Sequence, residues 1–307
     1  MRDDTLRLMF TCCHPALAPE AQVVLTLRLL GGLSTAQIAR ALLLTQTTVA
    51  QRVSRVKAKI RDAGIPYRIP SLEELPERTR AVLAVVYLIF NEGYLSTGSE
   101  DLIRLDLCEE AIRLGTLLVE LLPEDPEVRG LLALMLFTHA RRAARADSSG
   151  ALVDLPHQDR SLWDAQQIAA AQSLLRGCLR EDKPGPYQLQ AAINAVHCEA
   201  PDSAATDWSQ ILTLYDHLFA LQPVAVVALN RAVALAEVAG PHRALEEVDA
   251  LVGLHRYHLY HAVRAHLLVR LHREADAALA YRAAIDNATH PKEREHLQKH
   301  YAALSRQ

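Results

Sequence analysis

At 307 residues the chain is long enough for two domains with cores of their own. Half of the residues are hydrophobic and 22% are charged, which excludes a disordered or fibrous chain. The longest unbroken apolar run, Ala81 to Phe90, has ten residues, where a membrane span needs about twenty; with Arg2, Asp3 and Asp4 at the start and no apolar leader core, a cytoplasmic protein without a membrane partner is expected.

The net charge of −3 conceals a segregation. Residues 1–65 hold nine Lys/Arg against four Asp/Glu, and the rest of the chain holds 24 against 32. A basic module for a polyanion, joined to a mildly acidic body, fits that split. The five cysteines (Cys12, Cys13, Cys108, Cys178, Cys198) are odd in number and contain no C-x-x-C pair, so reduced thiols are expected rather than a disulfide framework. Cys12-Cys13-His14 is the one tight group. It lacks a fourth ligand nearby and reads as helix-end thiols, so neither a metal nor a cofactor is expected.

In chain order, Ala/Leu/Arg/Glu segments of helical period alternate with Gly/Pro/Asp breaks, and alternating strand patterns are absent. The expected fold is all-α. A winged-helix-like or three- to four-helix helix-turn-helix occupies 1–65, and an extended linker 66–76 carries Pro66, Pro70 and Pro76. A helical extension follows over 77–200, then helical hairpins over 201–307. Within the first module a helix Glu20–Leu30 stops at Gly31-Gly32, and Ser34 with Gln37 forms a capping box opening Thr35–Leu43. Thr45 then caps a third helix from Gln46.

That third helix separates its faces. Val49, Val53, Val56 and Ile60 form one apolar stripe, while Thr48, Gln51, Arg52, Arg55 and Lys59 fall opposite. Between 45 and 61 there are five basic residues and no acidic one. Two short helices joined by a tight turn, the second strongly basic, place a recognition helix in the DNA major groove. The candidate DNA-binding residues are Gln46, Thr47, Thr48, Gln51, Arg52, Arg55, Lys57 and Lys59. Arg and Gln suit base edges and Lys suits phosphates. A solvated basic face on a packing helix is the plainer alternative.

Toward the C-terminus a period of 33 emerges. Ile211/Tyr215/Leu218, Ala244/Val248/Leu251 and Ala277/Tyr281/Ala284 repeat one spacing, and Ala232/Leu235/Val238 align with Ala265/Leu268/Leu271. Stacked helical hairpins of tetratricopeptide-like kind fit that period.

Asn91-Glu92-Gly93-Tyr94 reads as a helix end with Gly93 left-handed and Tyr94 folding back, not as a catalytic carboxylate. His255, His258 and His261, with His266 and His272 beyond, read as a polar seam loosened by protonation rather than a metal site. Pro184-Gly185-Pro186 lacks the features of a phosphate loop. No nucleophile–base set emerges, so no catalytic residue is expected and the protein is read as a non-enzyme.

Several stretches together resemble a known family. They are Leu17-x-Pro19, Val23-Val24-Leu25-x-Leu27-Arg28, Gly32-Leu33-Ser34-x-x-Gln37-Ile38-Ala39, and Thr48-Val49-x-Gln51-Arg52-x-x-Arg55-x-Lys57-x-Lys59-Ile60-Arg61. They resemble region 4 of extracytoplasmic-function sigma factors of the sigma-70 family. Leu43 stands where the turn usually has Gly, and Ala50-Gln51 replaces the usual Lys-Ser. Asp3 to Pro15, Val86 to Tyr94, Asp159-Arg160-x-x-Trp163-Asp164, Gly185 to Ile193 and Ala228 to Val233 resemble the subgroup with a long helical, tetratricopeptide-like extension. The resemblance implies promoter DNA (the −35 element) and core RNA polymerase as partners. It also implies a C-terminal domain that regulates activity or takes a regulatory protein or ligand. Region 2 of the family finds no room before Asp3, so the sequence as given is expected not to initiate transcription alone. The competing reading is a helical-repeat scaffold whose helix-turn-helix reads no DNA; an enzyme using a pocket of the C-terminal body ranks below both.

Overall fold

The computed structural model describes residues 2–42, 44–94, 104–179 and 183–304, with Arg2, Asp3 and Leu179 as backbone only. Among the described residues there are fifteen α-helices and no strand, so the all-α expectation holds in the four-helix form of the first module. No described helix is long and apolar enough to cross a membrane. Contacts divide the chain into two units, Met1–Met135 and Leu136–Gln307.

The first unit opens with α1 (Arg2–Cys12), α2 (Pro19–Leu29), α3 (Thr35–Ala41) and α4 (Gln46–Asp62). Local chemistry sets their ends. Pro19 begins α2, where its missing N–H costs nothing. Gly32 takes φ +66 in the following turn. Ser34 and Gln37 make the reciprocal capping box at α3, and Thr45 accepts from the Thr48 N–H at α4. Gly64, at φ +60, follows the end of α4.

α5 (Leu75–Tyr94) packs against α1, α2 and α6 (Leu105–Leu121). Val82, Leu83, Val85, Val86, Ile89 and Phe90 are all buried. At 100° per residue they cover close to half of the helix circumference, because neighbours cover it on more than one side. The expected division at 65/66 falls inside this packed unit. The segment 66–76 is also no free linker: the Tyr67 hydroxyl donates to the Asp4 carbonyl at 3.1 Å, Thr11 Oγ1 to the Pro66 carbonyl at 3.4 Å, and Pro70 is buried. Arg68 clasps Glu74 through two 2.8 Å bonds and, with the Ser71 N–H, holds its carboxyl down at about 2. Prolines there lie between α4 and α5 or in the first turn of α5, inside the packed unit.

Gly93 corrects the expected helix end. It lies inside α5 and is absent from the left-handed residues. A Cβ there would stand 2.9 Å from the Arg104 carbonyl oxygen, the Cys108 nitrogen and the Cys108 sulfur. Glycine is needed for close approach of α6, not for its φ. Tyr94 likewise stays helical and stacks on Phe90 with centroids 5.8 Å apart.

α7 (Pro126–Ala140) crosses the boundary between the units. The second unit continues through a strap with 3-10 turns at Arg142–Ala144, Leu155–His157 and Arg160–Leu162. Then come α8 (Ala165–Leu179), α9 (Pro186–Glu199), α10 (Trp208–Leu221), α11 (Ala225–Ala239), α12 (Pro241–Asp249), α13 (His258–Arg270), α14 (Glu274–Asn287) and α15 (Pro291–Leu304). From α8 onward each helix packs on the next, and the expected boundary at 200/201 falls inside this unit.

The 33-residue period has a physical counterpart. Arg231 Nε meets Asp216 at 2.5 Å, and 33 residues on Arg264 Nε meets Asp249 at 2.6 Å. Ala232 and Ala265, Ala244 and Ala277 are wholly buried, so helix backbones approach closely at matching positions. The alignment fails at one point: Val238 is 45% exposed, unlike its counterpart Leu271.

Two predictions test this fold. Gly93→Ala forces a methyl against backbone atoms that cannot step aside, so denaturant unfolding should show a loss of about 1–3 kcal/mol. In the second unit, His197 sits edge-on to Trp208 with centroids 5.4 Å apart. Burial, reinforced by Arg141 and Arg160, lowers it to about 4. The unfolded chain therefore binds the proton more readily, and stability present above about 6.5 is lost as pH falls toward about 4. His197→Gln should flatten that part of a Tm-against-pH profile.

Candidate nucleic-acid interface

The apolar stripe of α4 turns inward: Val49 and Val56 are buried, Val53 and Ile60 half-buried, and the helix packs on α2 and α3. Its remaining surface carries the candidate residues. Gln46, Thr47, Gln51, Arg55, Lys57 and Lys59 are exposed together on one helix. Thr48 and Arg52 are half-buried. Thr48 Oγ1 lies 2.8 Å from Thr45 Oγ1, so this hydroxyl serves the helix cap. Arg52 lines a cleft of about 280 Å³ with Pro19, Glu20, Leu88 and Glu92, on the flank of the exposed face rather than its centre.

Charge on this face is uncompensated. Arg61 meets Asp62 at 3.2 Å, but among the described residues Arg55, Lys57 and Lys59 have no ion-pair partner. Helix α4 begins with no acidic residue in its first turn, so its positive N-terminal end adds to the field. Leu43, whose place in the turn separates this sequence from the family pattern, lies outside the described residues.

The helices behind the face are held by residues that no local pattern reveals. Arg104, at the start of α6, donates to the Arg40 carbonyl at 2.7 Å, next to the end of α3. Arg113, one face further along α6, donates to the Leu30 carbonyl at 2.9 Å, at the end of α2. Helix ends leave carbonyls without partners, and a cation there also answers the helix dipole. Glu110 grips Arg113 at 2.8 and 2.9 Å and approaches Gly31 so closely that a Cβ would lie 2.8 Å from its oxygen. These pairings span 64 and 83 residues, which explains why helical spacing gave no hint of them.

The other sequence candidates disperse. Cys12 and Cys13 are buried and burial pushes both thiols up, Cys13 to about 12, so they stay protonated near neutral pH. Burial raises the Glu92 carboxyl above the usual range, with Arg104 opposing. His258 Nε2 lies 3.4 Å from Glu293, and His261 Nε2 lies 2.9 Å from the His255 carbonyl; these rings do not converge. Among the described residues the one converging His/Cys/carboxylate group is Asp154, His296 and His300.

Residues 7–60 match the model of sigma-70 region 4, from within α1 to within α4. The chain carries a sigma-70 region 4 module at its N-terminal end. Residues 78–179 match a family of unknown function, DUF6596, which begins in α5 and ends with α8. An uncharacterized protein of Rhizobium meliloti (strain 1021), R00370, is 45% identical over 293 residues, covering 95% of this chain and 69% of that protein. A region 4 module thus stands in front of a helical segment whose role the relatives' names leave open.

The seating of α3 beside α2 depends on the cap at Ser34, which lies in the turn that joins those two helices. Ser34→Ala should lower stability by about 0.5–2 kcal/mol, whereas Ser34→Gly costs only about a few tenths, read by thermal unfolding.

Proposed function

We propose that this chain acts in transcription initiation as an extracytoplasmic-function type of sigma factor. In this reading α4 reads the −35 promoter element, the region 4 module engages core RNA polymerase, and the helical remainder regulates the module. The observation that carries the reading is the unpaired basic face of α4 on a region 4 helix-turn-helix. The repeated Arg–Asp pairs at a 33-residue offset support a tetratricopeptide-like character for the later helices. The chemistry is recognition, not catalysis: the converging polar side chains of α4 form a surface, with no nucleophile–base pair among them.

The test is binding of the full chain to duplexes selected from a random-sequence pool. Affinity should fall steeply between about 50 mM and about 200 mM salt, as phosphate contacts release counterions. Arg55→Ala should cost about 1–3 kcal/mol and relax preference at one position, while Lys57→Ala and Lys59→Ala should each reduce the salt slope by about 1. Binding that ignores salt and these substitutions would favour the scaffold reading. Regulation by the second unit predicts that a chain ending at Ala140 binds DNA with altered affinity; superimposable curves would refute it. A cut at 70 is unsuitable, because it strips α5 and α6 from the module they cover.

A further inference from the structure

Three side chains in the second unit converge from opposite ends of its sequence. Asp154 stands on the strap after α7, and His296 and His300 stand one turn apart on α15. His296 Nε2 lies 2.9 Å from one Asp154 oxygen, and His300 Nε2 lies 3.6 Å from the other. The two Nε2 atoms are 3.1 Å apart. Tetrahedral coordination with bonds of about 2.0–2.1 Å puts neighbouring ligand atoms about 3.3 Å apart; the two nitrogens stand close to that separation, and one ligand atom from each of the three residues lies within 4.8 Å of the others.

We propose that Asp154, His296 and His300 form a binding site for one divalent transition-metal ion, zinc(II) in the first instance, which ties the strap to the last helix. This does not depend on the reading of the region 4 module.

The donor set decides the class of ion. Two imidazoles and one carboxylate suit zinc and its first-row neighbours, whereas calcium and magnesium demand more oxygen ligands. Residues four apart on a helix present their rings on one face, so α15 offers both nitrogens without distortion. His300 is further oriented by stacking on Tyr281, with ring planes 7° apart and centroids at 6.1 Å. Asp154 is carried by an ordered strap. Asp147 accepts from the Ser149 and Ala151 N–H groups, the Val153 N–H donates to the Arg145 carbonyl, and Gly150 takes the φ of +77 that the turn needs. The side chains are 39%, 20% and 44% exposed for Asp154, His296 and His300, so an ion enters from solvent and keeps a position for water.

A bound ion would close a loop of 142 residues between the strap and α15. The last helix, which packs mainly on α14, would gain a second attachment. Metal occupancy would then set how firmly the end of the helical unit is held, as an interaction that exists only when folded.

The experiment uses the full chain without a histidine tag. Zinc(II) titrated by calorimetry should bind one ion per chain, and cobalt(II) should give the visible absorption of a nitrogen/oxygen-ligated low-coordinate ion. His296→Ala with His300→Ala should weaken binding by at least about tenfold, and Asp154→Asn, which keeps the shape of the site, should weaken it measurably. His242→Ala, on an exposed histidine elsewhere, should leave it unchanged. Zinc should also raise the Tm of the wild-type chain and slow hydrogen exchange in 146–154, with neither effect in Asp154→Asn. Should the double variant fail to fold by circular dichroism, Asp154→Asn decides. The proposal is overturned by the absence of stoichiometric binding at micromolar zinc, or by equal binding in the wild type and in Asp154→Asn.

Discussion

The first unit depends on a single packing constraint, the need to bury α5. Its buried residues cover too wide an arc for one neighbour, so α1 and α2 close one side and α6 closes another. Each fully buried side chain such as Ile89 or Phe90 contributes about 1.5–3 kcal/mol relative to exposure. The helix-turn-helix is therefore not an appendage on a linker. Its back is built from the same core as the segment that follows, and Gly93 allows α6 to come near enough to share it.

That shared core explains how a basic surface can be held in one orientation. Once α6 is seated, Arg104 and Arg113 reach the carbonyl ends beside α3 and α2. The polar bonds add direction to an apolar contact that has none. A recognition helix needs such support, because contacts to base edges demand a fixed angle between α3 and α4. Any control exerted through α5 and α6 would act on the same contacts that orient the module.

In the second unit, the motifs that carry the family resemblance serve architecture. Arg160 donates to the His197 and Ala200 carbonyls at the end of α9, while its guanidinium lies over the Trp163 ring at 4.6 Å. Asp164 accepts from the Gln167 N–H at the start of α8. Arg231 bridges Asp216 of α10 and Glu247 of α12. These residues fasten consecutive helices to one another, as stacked helices that pack mainly on their sequence neighbours require.

The amino-acid sequence determined the helices, their caps and the inward and outward faces of α4. Each of those rests on residues within about one turn of each other: Ser34 with Gln37, Thr45 with Thr48, the valines of the apolar stripe. It also carried the 33-residue period, since neighbouring hairpins repeat their contacts. Tertiary structure decided the rest. The unit boundary, the helical role of Gly93, the partial withdrawal of Thr48 and Arg52 from the basic face, and the arginines behind it all join residues far apart in the chain. The histidines show the difference most clearly. Those clustered in sequence, His255, His258 and His261, turn to separate partners, whereas His296 and His300 meet a carboxylate 142 and 146 residues away. Sequence spacing constrains which side chains share a face; only the packing of helices determines what that face meets.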